Sequence, residues 1–526
     1  MTPTDVKERV PARAGLVLGA LILGALVCNI NLAVANVALP DIGRAFNAPQ
    51  SAVNLVAVGC TLGLAMSVLY FGALGDRYGR KLMLTLGLLL TLPASAICAW
   101  APSIEVLAAG RLFTGVAAGM AYPTTLALIT ALWGEGPKRI RAIALWSGVS
   151  AGAAVIGPAI AGFLLQYFWW GSVFLIAVPP AVIALILVVL LVPAHVNESN
   201  KSVDHLGGVL SVFMVGFFVL GLSMIAAPGL LMLSLGFIGL SLVIGLAFFI
   251  RQSKAANPLY DLQYAKRRLF WVPAIAGMIV FGSLMGVMFI GQQFLQNVLQ
   301  YSTFEAGVAI LPASVAMFIA APFSARLIQR RGSRVTLMIG LAFLFPAFLV
   351  MLITWKEDTN YGWVALGYIL IGFGAGIGLT PASRSLTVSV PVRRVGMASG
   401  TTDLERDFGG SVMQALFGSL LTAGYAYAFS QLIINSPQSA QISESTQEAL
   451  TQSYSSAANL AEQYPQYAGQ IVAAARQAFL EGANVAYTAG VIAILIGAGL
   501  VWFVFPKKQP ELALEDEYAK EDVATV

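Results

Sequence analysis

The residues most able to do chemistry in this chain are charged ones set at the margin of, or within, apolar stretches. Asp403, Glu405, Arg406 and Asp407 stand together where a long apolar run begins. On a helix Asp403, Arg406 and Asp407 share one face by i,i+3 and i,i+4 spacing, and Glu405 points elsewhere. An acid inside a membrane can carry a proton or balance a cation. The same acids could instead sit solvated at the interface, because the fully apolar part of the run starts only near Phe408. Arg111 lies a few residues into another run. A lone charge there costs a few kcal/mol unless paired or wetted, so Arg111 either faces a cavity or a polar partner, or snorkels to the interface.

A second set is polar or aromatic: Asn31, Asn36, Tyr122, Trp146, Gln292, Gln293 and Gln296. A buried amide in a membrane needs a partner or a water-filled cavity, and aromatic rings can stack on a flat or cationic ligand. These residues are candidates for substrate binding, with core packing or interface anchoring open for each taken alone. Other chemistry is missing from the sequence. It has no P-loop, no H-E-x-x-H, no G-x-S-x-G and no clustered cysteine or histidine ligands. Cys28, Cys60 and Cys98 are odd in number, sit in apolar runs and read as small buried hydrophobes. Neither an enzyme, a metal site nor a cofactor is expected.

The elements that must position these groups follow from composition. Of 526 residues 58% are apolar and 10% charged, against about 25% charged in soluble domains. This excludes an ordinary cytosolic enzyme, a disordered protein and a nucleic-acid binder. A spanning helix needs roughly 20 apolar residues, and the chain holds fourteen such runs, from Ala14–Leu39 to Ala483–Phe505. With the N-terminus inside, 25 of the 30 basic residues fall on inside segments, as the positive-inside rule requires. The even count puts both termini in the cytoplasm. The expected fold class is an all-α polytopic membrane protein of 14 transmembrane helices.

An internal repeat divides it. Aligning Gly79 with Gly332 matches Arg77 to Arg330 and Lys81 to Arg334, and a similar offset matches Gly110, Gly115 and Gly119 to Gly367, Gly372 and Gly376. Parallel repeats of this kind are a transporter signature, with the ligand between the halves. The expected organisation is an N-terminal six-helix half (1–193), an inserted helix pair with its linkers (194–269), and a C-terminal six-helix half (270–505). A long outside segment at about 430–482 has helical composition over Gln447–Leu460 and Gln470–Leu480, which suggests a short helical hairpin. The acidic tail, 506–526, is expected to be disordered in the cytoplasm.

These residues resemble the major facilitator superfamily, most closely its 14-span drug/proton antiporter branch. Gly72-Ala-Leu-Gly-Asp76-Arg77-Tyr-Gly79-Arg80-Lys81 fits the family's G-x-L-x-D-R-x-G-R-[KR] loop without a gap. Arg111, Gly115 and Gly119 fit its helix 4 motif. Gly148, Gly152, Gly157, Pro158 and Gly162 resemble its helix 5 antiporter motif, with Ala161 in place of the first paired glycine. Gly396 through Gly410 resembles helix 13, and Phe294–Gln296 with Glu305–Gly307 resembles the junction of helices 9 and 10. In place of the family's first-helix L-D-x-T-I-V-N-V-A-L-P the chain reads Ile30-Asn31-Leu-Ala-Val-Ala-Asn36-Val-Ala-Leu39-Pro40. The usual aspartate has become Asn31, which cannot hold a proton.

The resemblance implies a fold of two pseudo-repeat halves and a proton role for Arg111. It also implies an inner gate in which Asp76 opposes a helix N-terminus and Arg77, Arg80 and Lys81 pair with acids such as Glu135. The glycines of helix 5 permit close approach, and Pro158 permits bending. One of Asp403 or Asp407 would replace the lost aspartate, with Glu405 and Arg406 beside them. The function implied is proton-coupled, multidrug-type efflux of lipophilic or amphipathic compounds by alternating access. The partners are a small-molecule substrate, protons and the lipid bilayer, with no nucleic acid, and the protein acts as a monomer in a bacterial inner membrane. Two alternatives stay open: export of a native lipid-like or siderophore-like molecule without proton coupling, and a non-transporting receptor with this fold.

Overall fold

The computed structural model describes residues 11, 13–133, 137–194, 202–390, 395–436 and 442–524. The spanning helices are α1 (Ala14–Ala33), α2 (Gln50–Tyr78), α3 (Arg80–Ala99), α4 (Ile104–Leu132), α5 (Pro137–Tyr167), α6 (Ser172–Leu191), α7 (His205–Met224), α8 (Leu231–Lys254), α9 (Arg268–Val298), α10 (Thr303–Arg331), α11 (Ser333–Thr354), α12 (Tyr361–Val388) and α13 (Val395–Ile434). Two short helices follow, α14 (Glu444–Gln452) and α15 (Tyr454–Gln463), then the last span α16 (Ala468–Val504) and a terminal helix α17 (Lys508–Ala524). Among the described residues thirteen of these helices are long and apolar enough to cross a membrane, and α5 is a further long helix between two of them; counted as fourteen crossings they place both termini at one end, which carries the arginine-rich turns and is called the basic end below. The opposite is the far end.

Local sequence sets the boundaries. Ser103, Asp204 and Asn360 cap α4, α7 and α12 through side-chain oxygens that accept backbone N–H bonds. Ser302 and Glu305 form a reciprocal capping box on α10. Gly79 and Gly332 divide α2 from α3 and α10 from α11 with φ of 115° and 84°, a region glycine enters without steric cost. Each donates its N–H to the carbonyl four residues back, Gly75 and Ile328. The two turns are therefore structural copies, as the sequence repeat predicts. The motif Gly72–Lys81 is almost entirely helical, with only Gly79 outside α2 and α3.

The aligned glycines also do matching work. A side chain at Gly115 of α4 would collide with the Cys60 carbonyl and Gly63 of α2, and one at Gly372 of α12 with the Ala313 carbonyl of α10. Gly119 and Gly376 likewise seat against Ser67 and Met317. Without a hydrophobic drive between helices in lipid, such small residues let backbones meet closely. The halves join along α2 with α13 and along α5 with the first turns of α10, and α7 of the inserted pair packs on both α2 and α13.

Two expectations are corrected. The acidic tail is not disordered: α17 is helical and packs on the basic end, where Glu511 is 2% exposed. Its charge, which composition alone reads as self-repelling, is complementary to the arginines there. The outside segment does form a helical pair, α14 and α15, but Gln470–Leu480 is the start of α16 rather than a second hairpin arm, because no breaker separates it from the span.

Candidate functional site

The central candidates come together where α4 and α5 approach α13. On one side Tyr122 of α4 and Trp146 of α5 form an aromatic pair with centroids 5.6 Å apart. Trp146 is fixed by its Nε1, which donates to the Thr125 hydroxyl at 3.0 Å. On the other side α13 presents Asp403 and Arg406, both half-buried, and Asp407, 8% exposed. Tyr122 lies within electrostatic reach of Arg406, Asp403 and Asp407. The Arg406 guanidinium is centred 5.1 Å from the Phe281 ring of α9. Asp403, Arg406 and Asp407 thus lie together on α13, with Phe281 beside Arg406 and Tyr122 of the first half within electrostatic reach. Such a lining can hold a flat, amphipathic molecule by stacking and charge.

Glu405 departs from this face. It is fully buried against Gly277 of α9, and neither carboxylate oxygen has a hydrogen-bond partner. Arg111 does not snorkel. It is 1% exposed, donates from Nη1 to the Asn31 carbonyl at 2.8 Å and from Nε to the Val56 carbonyl at 3.4 Å, and its carbon lies 5.5 Å from the Phe174 centroid. Its Nη2 is buried without a partner. The Asn31 amide turns back to the Val27 carbonyl of its own helix.

The glutamines predicted as ligands sit elsewhere, in a polar seam that ties the halves at the far end. Gln50 Nε2 donates to Gln293 Oε1 at 3.0 Å and Asn54 Nδ2 to the Thr422 hydroxyl at 3.1 Å. Thr61 donates to Gln414 Oε1 at 3.1 Å, and Gln296 Nε2 to the Val37 carbonyl at 2.8 Å. Gln292 holds the Ala306 carbonyl at 2.9 Å. Asn36 is buried nearby, 8% exposed. Thr303 of α10 donates to the Gly162 carbonyl of α5 at 3.1 Å, and a side chain at Gly307 would strike the Pro158 carbonyl. Gly157 packs on Ala33. Pro158 and Gly162 thus line the half interface, while Gly157 packs within its own half; the side-chain environment of Gly148 and Gly152 lies outside the described part of the structure.

Above the seam, α14 and α15 form a strap that belongs by sequence to the second half and rests on the first. Ser453 donates to the Ala48 carbonyl at 2.9 Å, and Asn459 Nδ2 to the Arg44 carbonyl at 3.0 Å and Asn47 Oδ1 at 3.2 Å. Gln50, Asn54, Thr61, Gln414 and Thr422 were not singled out by sequence, and the helical hairpin expected over Gln447–Leu460 carried no sign of its seat on the first half. The spacing of Gln50, Asn54 and Thr61 along one face of α2 was the available signal.

At the basic end, Asp76 Oδ1 accepts from Arg80 Nε at 3.0 Å and Nη2 at 2.9 Å. Asp76 thus opposes the start of α3 through Arg80. Arg80 Nη1 also reaches the Ala127 carbonyl at 3.2 Å, and Lys81 the Val189 carbonyl at 2.9 Å. These bonds stay within the first half. Glu135 lies outside the described residues.

The chain matches the Major Facilitator Superfamily over residues 21–414. It is 30% identical to the multidrug efflux pump LfrA of Mycolicibacterium smegmatis over 94% of this chain and 96% of that protein. It is equally similar to the methyl viologen resistance protein SmvA of Salmonella typhimurium, with 30% identity over 94% and 99% of the two chains. Among solved structures, an inward-facing, occupied bacterial homologue of the human lysosomal transporter Spinster superposes with a TM-score of 0.67 at 15% identity, covering 94% of this chain and 98% of that one. A peptide transporter superposes with a TM-score of 0.63 at 14% identity, covering 96% and 99%. Repeat, motif loop, interhelical glycines and these likenesses converge: the chain belongs to the major facilitator superfamily and is a membrane-embedded, multi-pass transporter of small molecules, not an enzyme.

Proposed function

We propose that this protein exports lipophilic or amphipathic drugs across a bacterial cytoplasmic membrane, driven by the proton gradient, through alternating access. The observation that carries the reading is the Tyr122–Trp146 pair within electrostatic reach of Asp403, Arg406 and Asp407 on α13, which we read as the lining of a cleft between the halves. Relatives named for multidrug efflux and methyl viologen resistance support the cargo class. The basic end is read as cytoplasmic by the positive-inside rule, and a single chain suffices because both halves come from it.

The polar seam and the strap close the far end, so the cleft in this state serves the cytoplasmic side. Cargo enters from the cytoplasm or inner leaflet and stacks on the aromatic pair. Proton exchange at Asp403 or Asp407 alternates with cargo. Outward release requires the seam to open while the basic end closes. The amides Gln292, Gln293 and Gln296 then act as far-end gate residues and only secondarily as cargo contacts.

In inside-out vesicles an imposed pH gradient should drive uptake of ethidium or methyl viologen. Asp407→Asn should reduce this by at least tenfold, about 1.4 kcal/mol of coupling, while cargo binding remains measurable. A second reading, export without proton coupling, is favoured by Asn31 in the position of the family's aspartate. Cargo accumulation with no proton flux in a pH-jump proteoliposome assay would establish it and reject coupling.

A further inference from the structure

The two repeat turns are copies in backbone and in two of their grips, yet they differ in charge. In the first, Lys81 holds the Val189 carbonyl at the end of α6; in the second, the matching Arg334 holds the Trp502 carbonyl at the end of α16. In the first, Arg80 links the turn to Ala127 near the end of α4; in the second, the link runs the other way, from Arg384 of α12 to the Ser333 hydroxyl at 3.4 Å. Positions 127 and 384 correspond under the same offset that aligns Gly110 with Gly367. The acid is what differs. Asp76 neutralises Arg80 in the first turn, but its counterpart is Gln329.

The vacant role is filled from α17. Glu511 Oε2 accepts from the Ser333 backbone N–H at 3.1 Å, at the buried start of α11, and its Oε1 lies 3.4 Å from Arg384 Nη1. Glu515 takes both Arg384 nitrogens at 3.0 and 3.2 Å. Lys508 donates to the Gln329 and Arg330 carbonyls at 2.7 and 3.3 Å, capping the end of α10. The Arg267 guanidinium stacks 4.2 Å from the Tyr518 ring. One acidic helix thus binds the basic ends of α10, α11 and α12 and the segment entering α9. Burial holds the Glu511 carboxyl above the ordinary range, against the pull of Ser333 and Arg384, as expected for a group committed to a protein contact rather than to water.

We propose that Glu511 is a positioning residue that supplies, from the C-terminal helix, the carboxylate the second repeat turn lost at Gln329, and so braces the basic end of the second half for transport. This rests on the transport reading above. A brace acts on the rate of rocking rather than on the cargo, so Glu511→Gln should lower the maximal ethidium uptake rate several-fold with KM unchanged, and should lower the melting temperature of the purified protein. A chain ending at Lys507 should behave the same way. Placing the acid back in the turn, as Gln329→Asp combined with Glu511→Gln, should restore both rate and melting temperature, which a merely structural contact elsewhere would not do. Wild-type rate and melting temperature in Glu511→Gln, or failure of Gln329→Asp to restore either, would overturn the proposal. If Glu511→Gln does not accumulate in the membrane, recovery of accumulation by Gln329→Asp decides the matter in the same way. If the wild-type protein moves no probe, the transport reading fails, and the melting temperatures alone decide the role of Glu511.

Discussion

Arg111 shows how a charge can be legible in sequence while its partners are not. Its type and place within an apolar run mark it as needing a partner or water, and the structure gives it two backbone carbonyls, which carry no side-chain signature. Replacement by leucine would remove the two charge-assisted hydrogen bonds to the Asn31 and Val56 carbonyls, each worth about 1.5–3 kcal/mol. Arg111→Leu should therefore melt several degrees lower, read by scanning fluorimetry in detergent. The Asp403, Arg406 and Asp407 face was legible because helical spacing alone defines it. The seam was not: Gln50 meets Gln293 243 positions away and Asn54 meets Thr422 368 positions away. Locally, each looks like any polar residue in an apolar run.

At the level of helices, hydropathy found every span, while the ends shifted by several residues wherever a charged turn continued the helix, as at Arg326–Arg331 of α10. Helix propagation needs no apolar residue, so hydropathy under-reads basic ends. The glycine repeat makes a paired prediction. Gly115→Val and Gly372→Val would each force apart a close helix pair, α2 with α4 and α10 with α12. Both should lose most of the protein from the membrane fraction, comparably, whereas Gly400→Ala, with open space around it, should not. A large difference between the two valine variants, read by quantitative blotting, would argue against equivalent packing in the two halves. The tail was misread because composition reports self-repulsion within a segment and is blind to a basic surface formed by three other helices.

For the whole molecule, the polar seam joins the halves toward the far end, and the grips of Arg80 and Arg384 at the basic end lie inside their own halves. A rigid-body exchange of open and closed ends is the motion this arrangement suits. A short bis-maleimide joining Gln50→Cys to Gln293→Cys should fix the far end shut and abolish uptake, while either single cysteine should transport. Native Cys28, Cys60 and Cys98 are all buried, which keeps the background quiet. The strap adds a kinetic consequence. Any excursion that parts the far end must first peel α14 and α15 off the turn at Arg44–Ala48. The polar ties lost there number only a few, each worth about 1 kcal/mol in net terms. Detachment at that cost is a rapid pre-equilibrium, so the strap behaves as a spring-loaded latch that filters brief fluctuations without throttling turnover.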